Sequence, residues 1–271
     1  MINKKDFMLC EKVEETDLDK YTHSHYLGNI KFDGERIIII KQAEEVFLVN
    51  RNGRIKNSMY RELIADFKQV PFDFILDSEV ITEDNLFNTL QHRINLSNEE
   101  KIIEAEHKYP IKCMVFDIIR LKDNDLRNMP LNERVLILEE LFCEFKFNKV
   151  EMVKYYEDLN ALYSFAKAKQ LEGIVLKAIS SNYENGRSKS WLKLKFFKLA
   201  DIKAVSYEIN NSGIRVEDDK ENACQVSGNQ HIKVKEEIDN KGFCEIIVQY
   251  LEKTKNNKLR FISYKGLKNG L

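Results

Sequence analysis

Four consecutive isoleucines, Ile37 to Ile40, follow directly on Lys31-Phe32-Asp33-Gly34-Glu35-Arg36. An apolar run of this kind reads as a buried strand. A lysine, an acid, a glycine and an arginine are an unusual lead into one. Taken alone, Asp33-Gly34 is ordinary hairpin punctuation. The same conflict recurs along the chain, however. An acid on an apolar strand costs free energy unless it is paired or binds a cation. Asp33, Glu79, Asp117 and Glu172 all sit in such surroundings, and Lys31, Lys177, Lys193 and Lys195 repeat the pattern with opposite sign. Singly, each is an edge charge or a structural ion pair. Together they argue for a polar groove lined by strands. Carboxylates there hold a hard cation through oxygen, and lysines hold phosphates as point charges. Phe116 offers a stacking face beside them. The set suits a nucleoside triphosphate with Mg²⁺. The Walker pattern is absent, which excludes a P-loop protein.

The spacing predicts strands over residues 28–40, 46–49, 72–81, 112–121, 172–177 and 190–197. Helices are expected over 61–67, 86–94, 131–145 and 159–170, with Asn132 or a neighbour as the cap of the third. Asn52-Gly53 is a hairpin turn. Residues 95–108 read as a charged surface stretch. After Asp201 the pattern changes to short strands over 202–209, 223–226, 243–251 and 259–264, which suggests a small all-β barrel. With 271 residues the chain has room for one large or two smaller domains. No apolar run approaches the ~20 residues of a membrane span. No signal-peptide pattern follows the first residues, so the protein is expected in the cytoplasm. The five cysteines lack a C-x-x-C pair, which argues against a zinc ribbon or a redox pair. His23 and His25 are weighed as metal ligands, with a polar loop the plainer reading. Net charge is −1, but from Lys189 onward 16 Lys/Arg stand against 11 Asp/Glu. That asymmetry points to a basic face on the C-terminal part.

The segments also resemble, in order, one family: the small two-domain ATP-dependent DNA ligases of the covalent nucleotidyltransferase superfamily. Lys31-Phe32-Asp33-Gly34-Glu35-Arg36 resembles motif I, K-x-D-G-x-R. Phe74-Ile75-Leu76-Asp77-Ser78-Glu79 resembles motif III, and Met114-Val115-Phe116-Asp117 resembles motif IIIa. Glu172-Gly173-Ile174-Val175-Leu176-Lys177 matches motif IV, and Trp191-Leu192-Lys193-Leu194-Lys195 resembles motif V. Asn50-Arg51-Asn52-Gly53 resembles a Ser-Arg-x-Gly element, with Asn50 in place of serine. The family often has a glutamate two residues before the motif I lysine, where this chain has Asn29. The basic cluster ending in Asp-Lys that closes the family pattern is not clearly matched before Leu271. No helical DNA-encircling domain is expected before Lys31, and no extra N-terminal domain of the NAD-dependent kind.

The resemblance implies an α+β fold. A nucleotidyltransferase domain of ATP-grasp-like antiparallel sheets with flanking helices would cover residues 1–199, and an OB-fold barrel 200–271. It implies an enzyme that seals nicks in double-stranded DNA through lysyl-AMP, using ATP and Mg²⁺, with Mn²⁺ as a substitute. The implied setting is a monomer acting at DNA in repair, replication or recombination. Lys31 would be the nucleophile. Asp33 and Arg36 would bind ribose and orient the loop. Glu79 would contact ribose or metal, and Glu172 would bind metal. Phe116 would stack on adenine, and Lys177, Lys193 and Lys195 would meet the α-phosphate. Asn29 and Ile30 complete the nucleotide-binding set, and Arg51 would meet the 5′-phosphate of the nick. Desolvation, neighbouring cations and bound Mg²⁺ are expected to favour a neutral Lys31 amine. Arg260, Lys265 and Lys268 are the tail cations for the outer phosphates, with a hinge near residues 199–201. Two alternatives remain beside this: an RNA ligase of the same superfamily, and a nucleic-acid-binding module with a relic pocket.

Overall fold

The computed structural model describes residues 6–22, 25–254 and 256–268; His23 lies outside them. The chain divides into two compact units, residues 1–195 and 196–271. The first unit begins with β1 (Met8–Lys12) and a 3-10 helix (Glu15–Tyr21). It continues through β2 (Tyr26–Ile30), β3 (Glu35–Gln42), β4 (Glu45–Asn50), α1 (Arg61–Lys68), β5 (Phe74–Thr82), α2 (Phe87–Ile94) and α3 (Glu99–Lys108). It ends with β6 (Ile111–Leu121), β7 (Asn124–Asp125), α4 (Leu131–Glu144), β8 (Val150–Met152), α5 (Leu159–Ala168), β9 (Gly173–Ala178) and β10 (Gly186–Lys195).

Two mostly antiparallel sheets form this unit. One has the order β1-β10-β9-β2, and the other β4-β3-β5-β6-β7, with β8 pairing β6. The isoleucine run explains how they are joined. Side chains alternate across a strand. Ile37 and Ile39 enter a core with Leu63, Phe67 and Leu138 of the helices, while Ile38 packs with Phe7, Met8 and Trp191 of the other sheet. Both faces of β3 are therefore covered, and no polar alternation is left in its sequence.

The hexamer before it is neither hairpin nor continuous strand. β2 ends at Ile30, β3 starts at Glu35, and Lys31 to Gly34 carry the chain from one sheet to the other. Gly34 is required there because a Cβ would stand 2.2 Å from the Val80 carbonyl oxygen of β5. The stretch expected as charged surface contains α3, capped by Asn98, whose side chain accepts from Lys101 N. The cap of α4 is Pro130, not Asn132; the Asn132 N–H instead donates to Ile179 O.

The second unit holds β11 (Lys198–Asn210), β12 (Gly213–Asp218), β13 (Ala223–Val226), α6 (Gln230–Lys241), β14 (Cys244–Tyr250), β15 (Glu252–Lys253), β16 (Leu259–Arg260) and β17 (Ser263–Leu267). Its sheet has the order β13-β12-β11-β14-β17, and all its pairings are antiparallel. The unit is not all-β as expected. α6 buries only Val234 and Ile238 among many charges, so its helical period is faint in sequence. It stops at Gly242, whose φ of 77° is the left-handed cap glycine takes readily. Residues 199–201, expected as a hinge, lie inside β11 and pair with Val248 to Gln249 and Ile247 of β14, so they are held by a ladder. Two of the expected tail cations are engaged within their own unit. Arg260 pairs with Glu252, and Lys268 reaches Asp201 at 3.2 Å and Glu245 at 3.6 Å. No helix among the described residues is long and apolar enough to cross a membrane.

Candidate active site

Strand register in the first sheet sets out the site in rows. Leu27, Lys177 and Trp191 lie abreast on β2, β9 and β10; two residues on stand Asn29, Val175 and Lys193; at the next step Gly173 lies beside Lys195. Lys31 joins that last row through its N–H, which donates to Gly173 O at 3.0 Å. Residues two apart in a strand share a face. One face of one sheet thus carries the four lysines. Facing it across a cavity of about 580 Å³ are Gly34, Arg36, Glu79 and Phe116. The cavity wall has six cationic side chains, Lys31, Arg36, Arg51, Lys177, Arg187 and Lys193, against the carboxylates of Glu35 and Glu79. A polyanion suits that balance.

At one end the amine of Lys31 lies 2.5 Å from Glu172 Oε2, and Lys195 lies 2.6 Å from Oε1 of the same carboxylate. Glu172 is thus bracketed by two ammonium groups, with its own side chain nearly buried. Burial works against the charge on Lys31, but Glu172, Glu79 and Asp33 outweigh it and hold the pKa above the usual lysine value. Burial alone therefore does not favour the neutral amine, and these acids favour the ammonium. Attack by nitrogen requires the charge on these acids to be taken up elsewhere. Asp33 acts on Lys31 by charge and does not line the cavity. Gly173, next to Glu172, also has to be glycine, since a Cβ would stand 2.0 Å from Leu194 O.

Glu79 accepts from Gly34 N at 3.1 Å. Burial pushes its carboxyl up to about 7, against the opposing pull of Lys31 and Arg36. Between the ordinary carboxylate range and that value, the folded chain binds more protons than the unfolded one. Stability from this group therefore falls as pH rises through about 7. Glu79→Gln should remove that slope. In urea unfolding, the variant gains stability relative to the parent between pH 5 and pH 8; an unchanged difference at the two pH values would contradict the assignment.

Arg36 is held rather than free. Its Nε and Nη2 donate to Asp77 Oδ1 and Oδ2 at 2.9 and 2.5 Å, and Tyr183 donates to Asp77 at 2.6 Å. The guanidinium lies over the rings of Phe7, Phe116 and Trp191. Asp77 carries the same signal as Glu79, an acid on an apolar strand, and was legible within the same motif. Asn50 anchors the turn that presents Arg51: its Oδ1 accepts from the N–H groups of Asn52 and Arg54, both at 3.0 Å. This is an Asx turn, which an asparagine makes more strongly than a serine does.

One expected position is corrected. Asp117 does not line the groove. It is fully buried and forms a two-pronged pair with Arg134, at 2.8 and 2.9 Å. Lys177 stands four residues along β9 from Gly173, about 13 Å of strand rise, and lines the same cavity as Lys31. It is buried, donates to Phe116 O and to the Tyr155 hydroxyl at 3.0 Å each, and sits 4.1 Å from the centre of the Trp191 ring. Burial lowers its pKa to about 8, partly offset by Asp117 and Asp77. Lys193 is lowered as well, mainly by burial. Arg187 lines the cavity, and Tyr155, hydrogen-bonded to Lys177, is a candidate that no pattern in the sequence marked. Ile30 lines the cavity. Among the described residues, no group of three or more His, Cys, Asp or Glu side chains is placed to hold a metal by itself.

Comparison with known proteins places this geometry. A family model described as the ATP dependent DNA ligase domain matches residues 7–195. The DNA ligase 1 of Methanosarcina mazei is 30% identical over 206 residues, covering 69% of this chain and 36% of its own. The DNA ligase of Saccharolobus shibatae is 28% identical over 203 residues, covering 69% and 33%. The chain thus spans about a third of the length of the curated relatives it matches. A solved structure named Pmar-Lig_Pre superposes with a TM-score of 0.74 at 20% identity, covering 97% of this chain and 67% of its own. At that identity the likeness is one of fold.

Proposed function

Since this chain belongs to the ATP-dependent DNA ligase family, we propose that it seals 5′-phosphate/3′-hydroxyl nicks in duplex DNA through a lysyl-AMP intermediate. The observation that carries this reading is Lys31. It follows directly on β2 at a nucleotide-sized cavity, with a carboxylate on its amine and the cations Lys193 and Lys195 on β10 of the same sheet. In the first step the Lys31 nitrogen, after releasing its ammonium proton to solvent, bonds to the α-phosphorus of ATP, and the bond from that phosphorus to the bridging oxygen of the β-phosphate breaks, releasing pyrophosphate. Lys193 and Lys195 offset charge on the α-phosphate as it develops. AMP then passes to the 5′-phosphate of the nick, which Arg51 meets at the cavity mouth. The 3′-hydroxyl displaces AMP and closes the strand.

Glu79 and Glu172 would hold Mg²⁺, or Mn²⁺ in its place. Two carboxylates would suit an ion that keeps much of its water. Bound there, the ion supplies charge neutralisation at the phosphates. Phe116 offers its ring to the base, at the end of the cavity away from Lys31.

We further propose that the second unit is an OB-type barrel, from residue 196, that grips nucleic acid. Its strand order supports this, as do the insertion of α6 between the third and fourth strands of the sheet and the approach of β13 to β17. Such barrels present a strand face to nucleic acid. The protein would act as a monomer inside the cell.

A panel of nicked duplexes tests the reading. DNA on both sides of the nick should be sealed, and affinity should fall steeply with added salt because bound cations release counterions from the phosphates. Sealing confined to nicks with RNA strands would move the assignment to an RNA ligase. ATP-dependent binding without sealing of any substrate would leave only the relic-pocket reading.

A further inference from the structure

β3 and β4 pair with Ile37 opposite Asn50. Glu35 lies two residues back on the same face as Ile37, which makes it the diagonal neighbour of Asn50. The two side chains meet: Asn50 Nδ2 donates to Glu35 Oε1 at 2.8 Å. Asn50 is 6% exposed, and its Oδ1 takes the two N–H groups of the turn that follows. Turned the other way, the amide would face those N–H groups with its own N–H₂ and face a carboxylate with its oxygen. Glu35 thus decides which end of Asn50 holds the turn. Glu35 is itself fixed. Its Oε2 accepts from the hydroxyl of Tyr60 at 2.7 Å, and Tyr60 is fully buried. Lys56 stands 3.5 Å from Oε1 and donates to Ile94 O at 2.6 Å. A carboxylate beside a phosphate cavity repels its ligand unless its charge is offset, and Lys56 offsets it here.

In the turn that Asn50 holds, Arg51 is exposed and lines the cavity, as Glu35 does. Lys31, Arg36 and Glu79 are held from elsewhere, by Glu172, Asp77 and Gly34 N. The bonds of Glu35 therefore lead to Arg51 and not to the nucleophile. Resting on the nick-sealing reading above, we propose that Glu35 is a positioning residue for the second step: through Asn50 it sets the turn that aims Arg51 at the 5′-phosphate of the nick.

The test reads two steps in one preparation. The first is label fixed to the protein from α-³²P-labelled ATP. The second is single-turnover transfer of that label to the 5′-phosphate of a nicked DNA duplex. The ratio of transfer to labelling is taken within each protein, so a partial loss of fold does not mimic the result. In Glu35→Ala this ratio should drop by about a hundredfold, the scale of a misplaced positioning group. Asn50→Asp keeps the shape and the acceptor for the turn but faces Glu35 with a second carboxylate, and its ratio should drop likewise. Adding Glu35→Gln to Asn50→Asp restores a donor between the two side chains and should bring the ratio back to within about tenfold of the parent. These exchanged side chains are nearly isosteric, so they decide the question even where Glu35→Ala does not fold. In an Arg51→Ala background neither Glu35→Ala nor Asn50→Asp should lower the ratio further, because a group that acts through Arg51 has nothing left to aim. A ratio that these changes leave unmoved overturns the proposal. So does a loss that persists in full without Arg51, or an exchanged pair that does not recover. An unmodified protein that takes no label from ATP, or never passes it to a nick, overturns the nick-sealing reading itself, and this inference with it.

Discussion

Lys31→Ala abolishes the transfer of AMP from ATP to the protein, a loss of at least about a thousandfold, because no other group at the cavity replaces a covalent nucleophile. Lys31→Arg fails equally. It keeps the charge beside Glu172 but offers no amine that can lose a proton. Mass spectrometry after incubation with ATP and a divalent cation should place the adenylate on Lys31. An adduct on Lys177, the lysine with the lowered pKa, would move the nucleophile to the other end of the cavity and undo the reading of the site. The ion pair with Glu172 sharpens the expectation. Glu172 and its neighbours hold Lys31 protonated, so Glu172→Gln removes both a proposed metal donor and the charge that keeps the amine protonated. Self-adenylation should fall in that variant, while its dependence on pH moves to lower pH.

Asp117→Asn costs about 3–5 kcal/mol of folding stability, because it leaves the Arg134 guanidinium as an uncompensated charge in the core. Both side chains of this pair are fully buried, and Arg134 also donates to the carbonyls of Met129 and Ser181. The pair therefore ties α4 to β6 and to the loop after β9. Asp125→Asn is the matched control. Its partner Arg127 is on the surface, with both side chains about half exposed, and such pairs contribute about 0–1 kcal/mol. Urea unfolding of the two variants separates them. Equal, small losses would mean that the buried pair does not hold the fold.

Asp117 also shows how far an acid in an apolar strand can be read. The sequence signal is the same for Asp77, Glu79 and Asp117: a carboxylate that needs a partner. Which partner it finds depends on what packs over the strand. Glu79 faces the cavity beside Lys31. Asp77 meets Arg36 and Tyr183, and Asp117 meets Arg134 from a helix that starts ten residues after its own strand has ended.

The sequence alone determined most of the first unit's strands, though not β1, β7 or β8, and where Lys31 stands among them. Apolar runs, period-two spacing and the glycines beside Lys31 and Glu172 are local constraints, written into neighbouring residues. It also determined the family, since five short motifs in order are a linear pattern. Tertiary structure decided the rest. The register of β2, β9 and β10 set the rows in which Lys177, Lys193 and Lys195 stand. The convergence of Glu172, Glu79 and Asp33 on one amine raises the Lys31 pKa against its burial. The helix α6 was decided by the sheet it covers, because two buried apolar residues suffice once a face is there to receive them. Protonation, pairing and register depend on groups far apart in the chain, and their energies exist only when the fold brings them within a few ångströms of one another.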